Sequence, residues 1–278
     1  MVDFSRRQFV AAAGFLTAFG VEMRANPLGM PIGCQTYPVR TNLQADFPGT
    51  IKMLTDAGFQ SIELCSPVGY REFNGLAKYS GKELRKMLND MGATCVSAHF
   101  GLRELRDNQA ERIAWASDMG MTQMAVASLS GPRNPTMDDV KKAADEYNKM
   151  GEKASAAGIQ QTLHNETFET SMVGDKRVYD TLFELLDPKL VKFQFQISTI
   201  AQGFDSVEYF NKYPGRFISM HVQGWQMETK QQVAVGQDSL DWKKIFAAAK
   251  TGGIKNYFVE MNYDLMKASV PYLKLLPA

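Results

Sequence analysis

Residues 137–166, MDDVKKAADEYNKMGEKASAAGIQQTLHNE, decide the fold. Met137–Ala157 has the apolar spacing of an amphipathic helix, and Ile159–Asn165 has the composition of a buried strand. Gly158 lies between them, as expected of a residue that ends a helix, because glycine adopts the left-handed conformation without a Cβ clash. The stretch therefore predicts a helix followed by a strand of a parallel sheet.

The same alternation of helix and strand runs along the rest of the chain. Further apolar, β-branched runs predict strands at Ile32–Tyr37, Ser61–Cys65, Thr94–Phe100, Gln123–Ser128, Val191–Ser198, Phe217–Gln223 and Asn256–Asn262. Further segments of helical period are Phe47–Ala57, Gly81–Met91, Leu102–Met119, Arg177–Leu186, Ser206–Lys212, Asp241–Lys250 and Leu265–Leu275. Eight such units in roughly 250 residues are typical of an α/β fold, a single (β/α)8 TIM barrel, here over residues 26–278. An open doubly wound sheet is the alternative, but no GxGxxG motif follows the first strand.

Residues 1–25 predict an export signal rather than part of the barrel. Paired Arg6 and Arg7 precede Phe9–Val21, an uncharged stretch rich in alanine. Residues 5–9, Ser-Arg-Arg-Gln-Phe, resemble the twin-arginine signal, so we expect a periplasmic protein. The apolar run is shorter than the ~20 residues of a transmembrane helix, although an uncleaved signal would act as a membrane anchor. The alternative is an amphipathic helix packed on the barrel.

The composition excludes several classes of protein. With 31 basic and 30 acidic side chains, the net charge of +1 gives no electrostatic footprint for nucleic acid or an anionic membrane. Cys34, Cys65 and Cys95 lack CxxC spacing, which excludes a zinc ribbon. Each lies in a predicted strand, so we expect buried free thiols. A small-molecule partner is compatible with this composition, and so is a homo-oligomer.

Polar residues near the strand ends indicate the site, because a barrel of this type builds its active site at the C-terminal ends of its strands. The chain has only three histidines, and all fall near predicted strand ends: His99, His164 and His221. Three glutamates join them: Glu63, Glu166 and Glu260. Converging imidazoles and carboxylates either bind a divalent metal or move protons.

The alternation of side chains along each strand predicts which residues point into the barrel. Residues of equal parity share a face, and the polar ones on the last four strands are Thr162, His164, Glu166, Gln194, Gln196, Ser198, Ser219, His221, Gln223, Glu260 and Asn262. Apolar residues that suit packing against the outer helices alternate with them: Leu163, Phe193, Phe195, Met220, Val222, Val259 and Met261. We therefore expect these polar side chains to face one mouth of the barrel.

Short motifs recur in order between about Pro31 and Asn262: Ser61-Ile62-Glu63-Leu64, Ser97-Ala98-His99-Phe100, Leu163-His164-Asn165-Glu166, Phe193-Gln194-Phe195-Gln196, Lys212-Tyr213-Pro214-Gly215-Arg216-Phe217, His221-Val222-Gln223, Leu240-Asp241-Trp242-Lys243 and Phe258-Val259-Glu260. Through these motifs the sequence resembles the xylose-isomerase-like TIM barrels, a superfamily of sugar isomerases and epimerases.

The resemblance implies a divalent metal ion, either Mn, Zn, Co or Mg, held on the last four strands. The matching ligands are His164 (with Glu166 as a substitute), Gln196, His221 and Glu260. Where the family has aspartate on the sixth strand, this chain has Gln196, a neutral and weaker ligand, so we expect weak metal binding. His164 stands where many relatives carry a glutamate, which argues against a symmetric two-glutamate mechanism.

A second departure lies after the seventh strand, where the family's His-Val-Lys-Asp is His221-Val222-Gln223-Gly224. The lysine and aspartate that commonly serve the substrate are therefore lost. This departure favours a reaction other than simple isomerisation.

The expected function is a metal-dependent sugar isomerase or epimerase that removes a proton alpha to a carbonyl. A non-phosphorylated sugar is expected, because the chain has no glycine-rich phosphate cradle. His164 and Glu260 would be ligands that also transfer protons, and His99 a substrate contact or acid. Further expected substrate contacts are Glu63, Glu166 and Trp225.

Two alternatives stay open at this point. One is a 3-keto-sugar lyase or hydratase of the same superfamily, and the other is a non-catalytic periplasmic carbohydrate-binding protein. Individual residues also have purely structural interpretations: Glu63 could pair with a basic side chain at the barrel mouth, and Trp225 could pack under a loop.

Overall fold

Eight parallel strands close into a barrel in the computed structural model, which describes residues 26–277. The strands are β1 (Gly33–Gln35), β2 (Ser61–Cys65), β3 (Thr94–His99), β4 (Gln123–Val126), β5 (Gln160–His164), β6 (Val191–Gln196), β7 (Phe217–Val222) and β8 (Asn256–Val259). Neighbours in sequence are neighbours in the barrel, and β1 pairs with β8 to close it, Gly33 opposite Phe258. The predicted (β/α)8 barrel is confirmed.

Helices follow the strands on the outside of the barrel. They are α1 (Arg40–Ala45), α2 (Phe47–Ala57), α3 (Gly81–Asp90), α4 (Leu102–Met119), α5 (Met137–Ala156), α6 (Val178–Leu185), α7 (Ser206–Lys212), α8 (Trp242–Gly252) and α9 (Tyr263–Leu273). The short α1 and a 3-10 segment at Arg71–Lys78 were not predicted, because both are too short and polar to show a clear apolar period.

All predicted strands except Ser61–Cys65 extend too far at their C-terminal ends, and Asn262 shows why. Its side-chain Oδ1 accepts a hydrogen bond from the backbone N–H of Leu265 at 3.1 Å, so Asn262 is the N-cap of α9. The prediction that Asn262 shares the inward face of the last strand is therefore wrong. A capping side chain satisfies a free N–H of the helix, and this requirement overrides the strand parity.

Two antiparallel hairpins rise from the loops after β5 and β7, and neither was predicted. Met172–Val173 pairs with Lys176–Arg177, and Trp225–Gln226 pairs with Gln231–Gln232. In the second hairpin a Cβ on Gly224 would collide with the backbone oxygen of Val233. The close approach of these two backbones therefore leaves no space for a side chain at the position where the resembled family has aspartate.

The outward faces of the strands pack against the helices, as the alternation predicted. Phe193 and Phe195 of β6 are fully buried against α6, where the ring of Phe183 stacks on Phe193 with centroids 3.9 Å apart. Tyr179 of the same helix contacts both strand residues edge-on or tilted. The cysteines predicted as buried free thiols, Cys34, Cys65 and Cys95, are buried and unpaired.

Within residues 26–277, no helix combines the length and the apolar character needed to cross a bilayer. The predicted export signal, residues 1–25, lies outside the described residues.

Candidate active site

A cavity of about 130 Å³ opens at the C-terminal ends of the strands. Its lining comes from β1, β2, β3, β5 and the loops beyond the strands: Gln35, Tyr37, Cys65, Tyr70, His99, Ala127, His164, Glu166 and Glu260. The lining contains two carboxylates and neither lysine nor arginine. A site of this kind suits a small, polar and uncharged ligand.

Three imidazoles meet beside this cavity. His99 ends β3, His164 ends β5, and His221 is the penultimate residue of β7. One nitrogen of each ring lies within 4.8 Å of the others, and the His164 and His221 centroids are 4.5 Å apart. All three are buried. Strand-end placement in a closed barrel thus brings together residues that are far apart in the sequence.

Glu63, expected from the sequence as a substrate contact, lies instead below the cavity with no exposed surface. Its Oε1 accepts hydrogen bonds from Ser97 Oγ at 2.6 Å and Gln194 Nε2 at 2.8 Å. Its Oε2 accepts from Gln35 Nε2 at 3.0 Å and lies 2.6 Å from His221 Nε2. Glu63 therefore belongs to the polar interior of the barrel, and its partners include an imidazole rather than a lysine or arginine.

The charges around Glu63 favour its ionised form. Burial alone would raise the pKa of this carboxyl, but the positive charges of His99 and His221 and the hydrogen bonds from His221 and Ser97 hold the pKa below its ordinary value. Glu63 is therefore a carboxylate that can only accept hydrogen bonds.

Glu260 receives three hydrogen bonds at one oxygen. Its Oε2 lies 3.0 Å from His221 Nδ1 and accepts from Gln196 Nε2 at 2.9 Å and from Gln223 Nε2 at 3.0 Å. Burial would raise its pKa, but the charge and hydrogen bond of His221 hold the pKa of Glu260 well below its usual range. The fourth ligand predicted from the sequence, His164, packs against the ring of His221. The predicted ligands His164, Gln196, His221 and Glu260 therefore lie together.

His221 is held between the two carboxylates. Burial would lower the pKa of this imidazole, but Glu260 and Glu63 raise it to about 10. His164 behaves in the opposite way: burial, together with the charges of His221 and His99, lowers its pKa well below the ordinary value. His164 is therefore a neutral imidazole with a lone pair to offer.

Two buried acceptors in this group have no hydrogen-bond partner among the described residues: His164 Nδ1 and Gln196 Oε1. A buried polar atom without a partner costs about 1–3 kcal/mol, so such atoms call for a ligand. Imidazole nitrogen and amide or carboxylate oxygen are ligands of divalent cations. The 3.0 Å between His221 Nδ1 and Glu260 Oε2 also suits two neighbouring ligands that each lie about 2.1 Å from one ion. The residues therefore fit a divalent metal.

Glu166 lines the rim of the cavity as an exposed carboxylate without a hydrogen bond or ion pair to any described residue. Loss of solvation and the charge of Glu260 raise the pKa of Glu166. Trp225, the other expected substrate contact, is half-buried on its hairpin and does not line the cavity. Glu166 therefore borders the space a ligand would fill, whereas Trp225 does not.

Several residues of the site escaped the sequence reasoning. Tyr37 and Tyr70 line the cavity, and their rings meet edge-on at 6.1 Å. Tyr37 could have been found, because it is the last residue of the first predicted strand. Tyr70 lies in a long loop after β2, where no periodic pattern marks it. Gln35, on β1, also lines the cavity and binds Glu63.

A family model matches most of the chain, and several solved structures have a similar fold. A family model described as xylose isomerase-like TIM barrel matches residues 51–273. The fold is similar to a sugar phosphate isomerase/epimerase from Parabacteroides distasonis, with a TM-score of 0.73, 24% identity and coverage of 88% of this chain and 94% of that one. It is also similar to the probable 3-DHS dehydratase of petrobactin synthesis from Bacillus anthracis, with a TM-score of 0.70, 13% identity and coverage of 88% and 98%.

A third similar structure is the IOLI protein with a bound zinc atom, with a TM-score of 0.66, 12% identity and coverage of 88% of this chain and 94% of that one. No curated protein matches the chain by sequence.

Proposed function

This chain belongs to the xylose isomerase-like TIM barrel family, and from that premise we propose that it is a divalent-metal-dependent sugar isomerase or epimerase. The substrate is a non-phosphorylated sugar or sugar derivative. One observation carries the proposal: three strand-end imidazoles and Glu260 converge beside one cavity, where two buried acceptor atoms have no protein partner. Metal binding and proton transfer are the two uses of such a group.

The metal would be held by His164 Nδ1, Gln196 Oε1, Glu260 and His221 Nδ1, and the hydrogen that His221 Nδ1 shares with Glu260 would be released on binding. When bound, such an ion polarises the oxygens of the substrate as a Lewis acid. Gln196 presents its amide nitrogen to Glu260, which leaves Oε1, without a hydrogen-bond partner among the described residues, to bind the ion. Gln196 then acts as an oxygen ligand without any change in the backbone.

The reaction begins when a side chain removes a proton from the carbon next to the carbonyl. The C–H electron pair forms the enolate, and return of a proton to the other face of the same carbon gives the epimer. Isomerisation instead protonates the former carbonyl carbon, while the proton of the neighbouring hydroxyl moves to the former carbonyl oxygen and that hydroxyl becomes the new carbonyl. Both proposed acceptors, the neutral His164 and the ionised Glu260, line the cavity. His99 lines it as well, and Glu166 at the rim is placed to contact the sugar.

A 3-keto-sugar lyase or hydratase is the second candidate, and the amides around Glu260 favour it. Gln196 and Gln223 bind Glu260 at the positions where the resembled family has aspartate and lysine. In this reaction the same enolate collapses to a C=C bond, and the C–O bond to the leaving group breaks. The leaving oxygen takes up a proton. The two candidates therefore share the proton-removal step and differ in the fate of the enolate.

Hydrogen exchange with solvent tests both candidates. The purified protein is incubated in D2O with aldoses, ketoses and 3-keto-sugars, and deuterium in the recovered compounds is measured by NMR. We expect exchange at the carbon next to the carbonyl, lost in Glu260→Gln and kept in Glu152→Gln on the exposed face of α5. Isomeric products favour the isomerase, and unsaturated products favour the lyase. No exchange with any compound would contradict both.

Metal analysis separates an enzyme from a carbohydrate-binding protein without catalysis. Bound Mn or Zn in the purified protein, lost in Glu260→Gln, supports the enzyme. Sugar binding by calorimetry that persists after chelation, together with the absence of exchange, supports the binding protein.

We also propose that residues 1–25 direct export to the periplasm through the twin-arginine pathway, on the basis of Arg6-Arg7 followed by the apolar stretch. Replacing both arginines by lysine is expected to leave the protein in the cytoplasm of a bacterium that exports the natural chain. Equal periplasmic amounts of the two forms would contradict this.

A further inference from the structure

The face of the barrel that carries the cavity also leaves apolar side chains in contact with solvent. Within residues 26–277, the large hydrophobic side chains with substantial exposure are Tyr37, Val68, Met172, Met227 and Leu275. The first four belong to the loops that follow β1, β2, β5 and β7, so they lie beyond the C-terminal ends of the strands. Apolar surface concentrated on one face of a protein marks a place where a ligand or partner binds.

Tyr37 connects this apolar surface to the cavity, because it lines the cavity and is still 40% exposed. Its backbone N–H donates to Gln35 Oε1 at 2.8 Å, and the Cζ atom of Arg40 lies 4.3 Å from the centroid of its ring. Arg40 also donates to the carbonyl oxygen of Tyr37 at 2.9 Å. Arg40 therefore covers one face of a ring that is already held in place, and a ligand can contact the ring at little cost in conformational entropy.

Val68 lies on a turn that is fixed at both ends. The backbone N–H of Tyr70 donates to the carbonyl oxygen of Ser66 at 3.1 Å, and the Ser66 hydroxyl accepts from the N–H of Val68 at 3.3 Å. The same hydroxyl donates to Glu104 of α4 at 2.7 Å. Tyr70, at the end of the turn, lines the cavity, whereas Val68 is 57% exposed. The turn therefore places Tyr70 in the cavity wall and Val68 outside it.

Tyr37, Val68 and Tyr70 form an apolar sector of the rim, because they follow β1 and β2, which pair in the barrel. The rings of Tyr37 and Tyr70 meet edge-on with their centroids 6.1 Å apart. Glu166 borders the cavity from the loop after β5, which β3 and β4 separate from β2. The apolar sector and the rim carboxylate therefore belong to different parts of the mouth.

The size of the cavity limits what it can enclose. Its volume of about 130 Å³ is below the ~300–1,000 Å³ of pockets that enclose a drug-sized ligand. Much of its lining is polar and includes Gln35, His99, His164 and Glu260. A single sugar ring suits such a cavity, and any larger group attached to the sugar must extend past the rim. Over the apolar sector an apolar group would leave water and contact other apolar side chains.

We propose that the substrate is a sugar that carries an apolar substituent, and that Tyr37 and Val68 determine specificity by contacting this substituent outside the cavity. The inference rests on the proposed function, which places the sugar ring in the cavity. A sugar without such a substituent leaves the apolar sector exposed to water. An aromatic or aliphatic substituent covers the sector, which adds binding free energy in proportion to the apolar area buried.

Pairs of glycosides that differ only in the substituent test the proposal. The methyl and phenyl glycosides of glucose, galactose, mannose and xylose are titrated into the purified protein, and their dissociation constants are measured by calorimetry. We expect at least one phenyl glycoside to bind about 10-fold or more tightly than its methyl counterpart, because the phenyl group buries apolar area and contacts an aromatic ring. Equal affinities within every pair, or no binding of any glycoside, would overturn the proposal.

Three variants locate the contact. Val68→Ser and Tyr37→Ala remove apolar surface from the rim, so we expect both to bring the affinities of the phenyl and methyl glycosides toward equality. Met172→Ser removes an exposed apolar side chain from the hairpin after β5 and should keep the preference for phenyl. A preference that stays unchanged in either Val68→Ser or Tyr37→Ala contradicts the proposal. Val68 is exposed, so its replacement is expected to leave the protein folded.

A second copy of the chain is another occupant that would cover the apolar sector. Analytical ultracentrifugation of the natural protein and of Val68→Ser distinguishes the two occupants. A dimer that Val68→Ser dissociates, without any preference for phenyl glycosides, would assign the sector to self-association and refute the proposal.

These titrations measure binding alone, so their outcome is separate from that of deuterium exchange. Exchange with free sugars but no preference for phenyl refutes the role of Tyr37 and Val68 and leaves the proposed function standing. A preference for phenyl without exchange in any compound refutes the proposed function and leaves the contact with the substituent standing.

Discussion

Gln196 is the residue on which the chemistry of the candidate metal centre depends most. It is buried, donates to Glu260 at 2.9 Å, and leaves its own Oε1 without a partner among the described residues. A neutral amide at this position adds no further negative charge next to Glu260. The same neutrality weakens its attraction for a cation.

Gln196→Asp should therefore increase metal affinity by about 10-fold or more, the scale of effects of groups that tune a metal site. In the metal-free form the new charge beside Glu260 is repelled, so we expect a lower melting temperature that the metal restores. Calorimetric titration with Zn²⁺ and Mn²⁺ and thermal unfolding with and without metal measure this. Gln202→Asp, on an exposed position, is the matched control, and equal affinities in all three proteins would contradict the prediction.

At the scale of elements, a buried carboxylate joins the loop after β4 to the loop after β5. Glu169 is fully buried, and it accepts hydrogen bonds from Ser128 Oγ at 2.6 Å and the backbone N–H of Leu129 at 2.8 Å. Burial nevertheless dominates and raises the pKa of Glu169 from 4.5 to about 7. The two loops are thus connected through a group that changes charge near neutral pH.

This connection predicts a pH-dependent stability. Because the folded-state pKa of Glu169 is raised, its favourable contribution is complete below the unfolded pKa of 4.5 and is lost as the pH rises through about 7. The loss amounts to at most about 3 kcal/mol. We expect the free energy of unfolding of Glu169→Gln to fall less between pH 5 and pH 8 than that of the natural protein. Urea unfolding at four pH values measures it, with Glu152→Gln as surface control; parallel curves would refute it.

Helix α6 is attached to the barrel by aromatic stacking. The Phe183 ring lies 3.9 Å from that of Phe193 on β6 and 3.8 Å from that of Tyr213 after α7, measured between centroids. Phe183→Ala should lower the free energy of unfolding by about 3–5 kcal/mol, since it leaves a cavity between helix and strand. Met172→Ala, at an exposed position, should change it by less than about 0.5 kcal/mol. A loss below about 1 kcal/mol for Phe183→Ala would show that α6 is held by other contacts.

At the scale of the whole molecule, the charge distribution constrains the ligand. The chain is nearly neutral, at +1, and the cavity lining holds Glu166 and Glu260 but no lysine or arginine. We expect a phosphorylated sugar to bind at least about 10-fold more weakly than the same sugar without phosphate, because repulsion from one carboxylate exceeds 1.4 kcal/mol at short range. Competition in the exchange assay measures this, and equal inhibition by both would contradict it.

The sequence predicted the barrel well because strands and helices carry their own periods. Phe47–Ala57, Leu102–Met119 and Ser206–Lys212 have the predicted bounds. Strand parity also assigned Gln194 and His221 to the interior. Parity gives the face of a residue but not its depth, which depends on the stagger of strands around the closed barrel. Parity therefore predicted Glu63 at the barrel mouth, although this residue lies fully buried beneath the cavity. Tyr70 and the hairpin that contains Trp225 could not be predicted, because they lie in long loops whose sequences show no helical or strand periodicity.

The contact between Glu63 and His221 joins residues 158 positions apart along the chain. A fragment that ends after β4 contains Glu63 with Ser97 and Gln35 but lacks Gln194 and His221, so closing such a half-barrel would bury the Glu63 charge with only half of its hydrogen-bond partners. Glu63 can form its hydrogen bonds with Gln194 and His221 only when the second half of the chain has folded against the first. We therefore expect the polar interior and the closed barrel to form together in folding, with half-barrel intermediates disfavoured by the buried charge of Glu63.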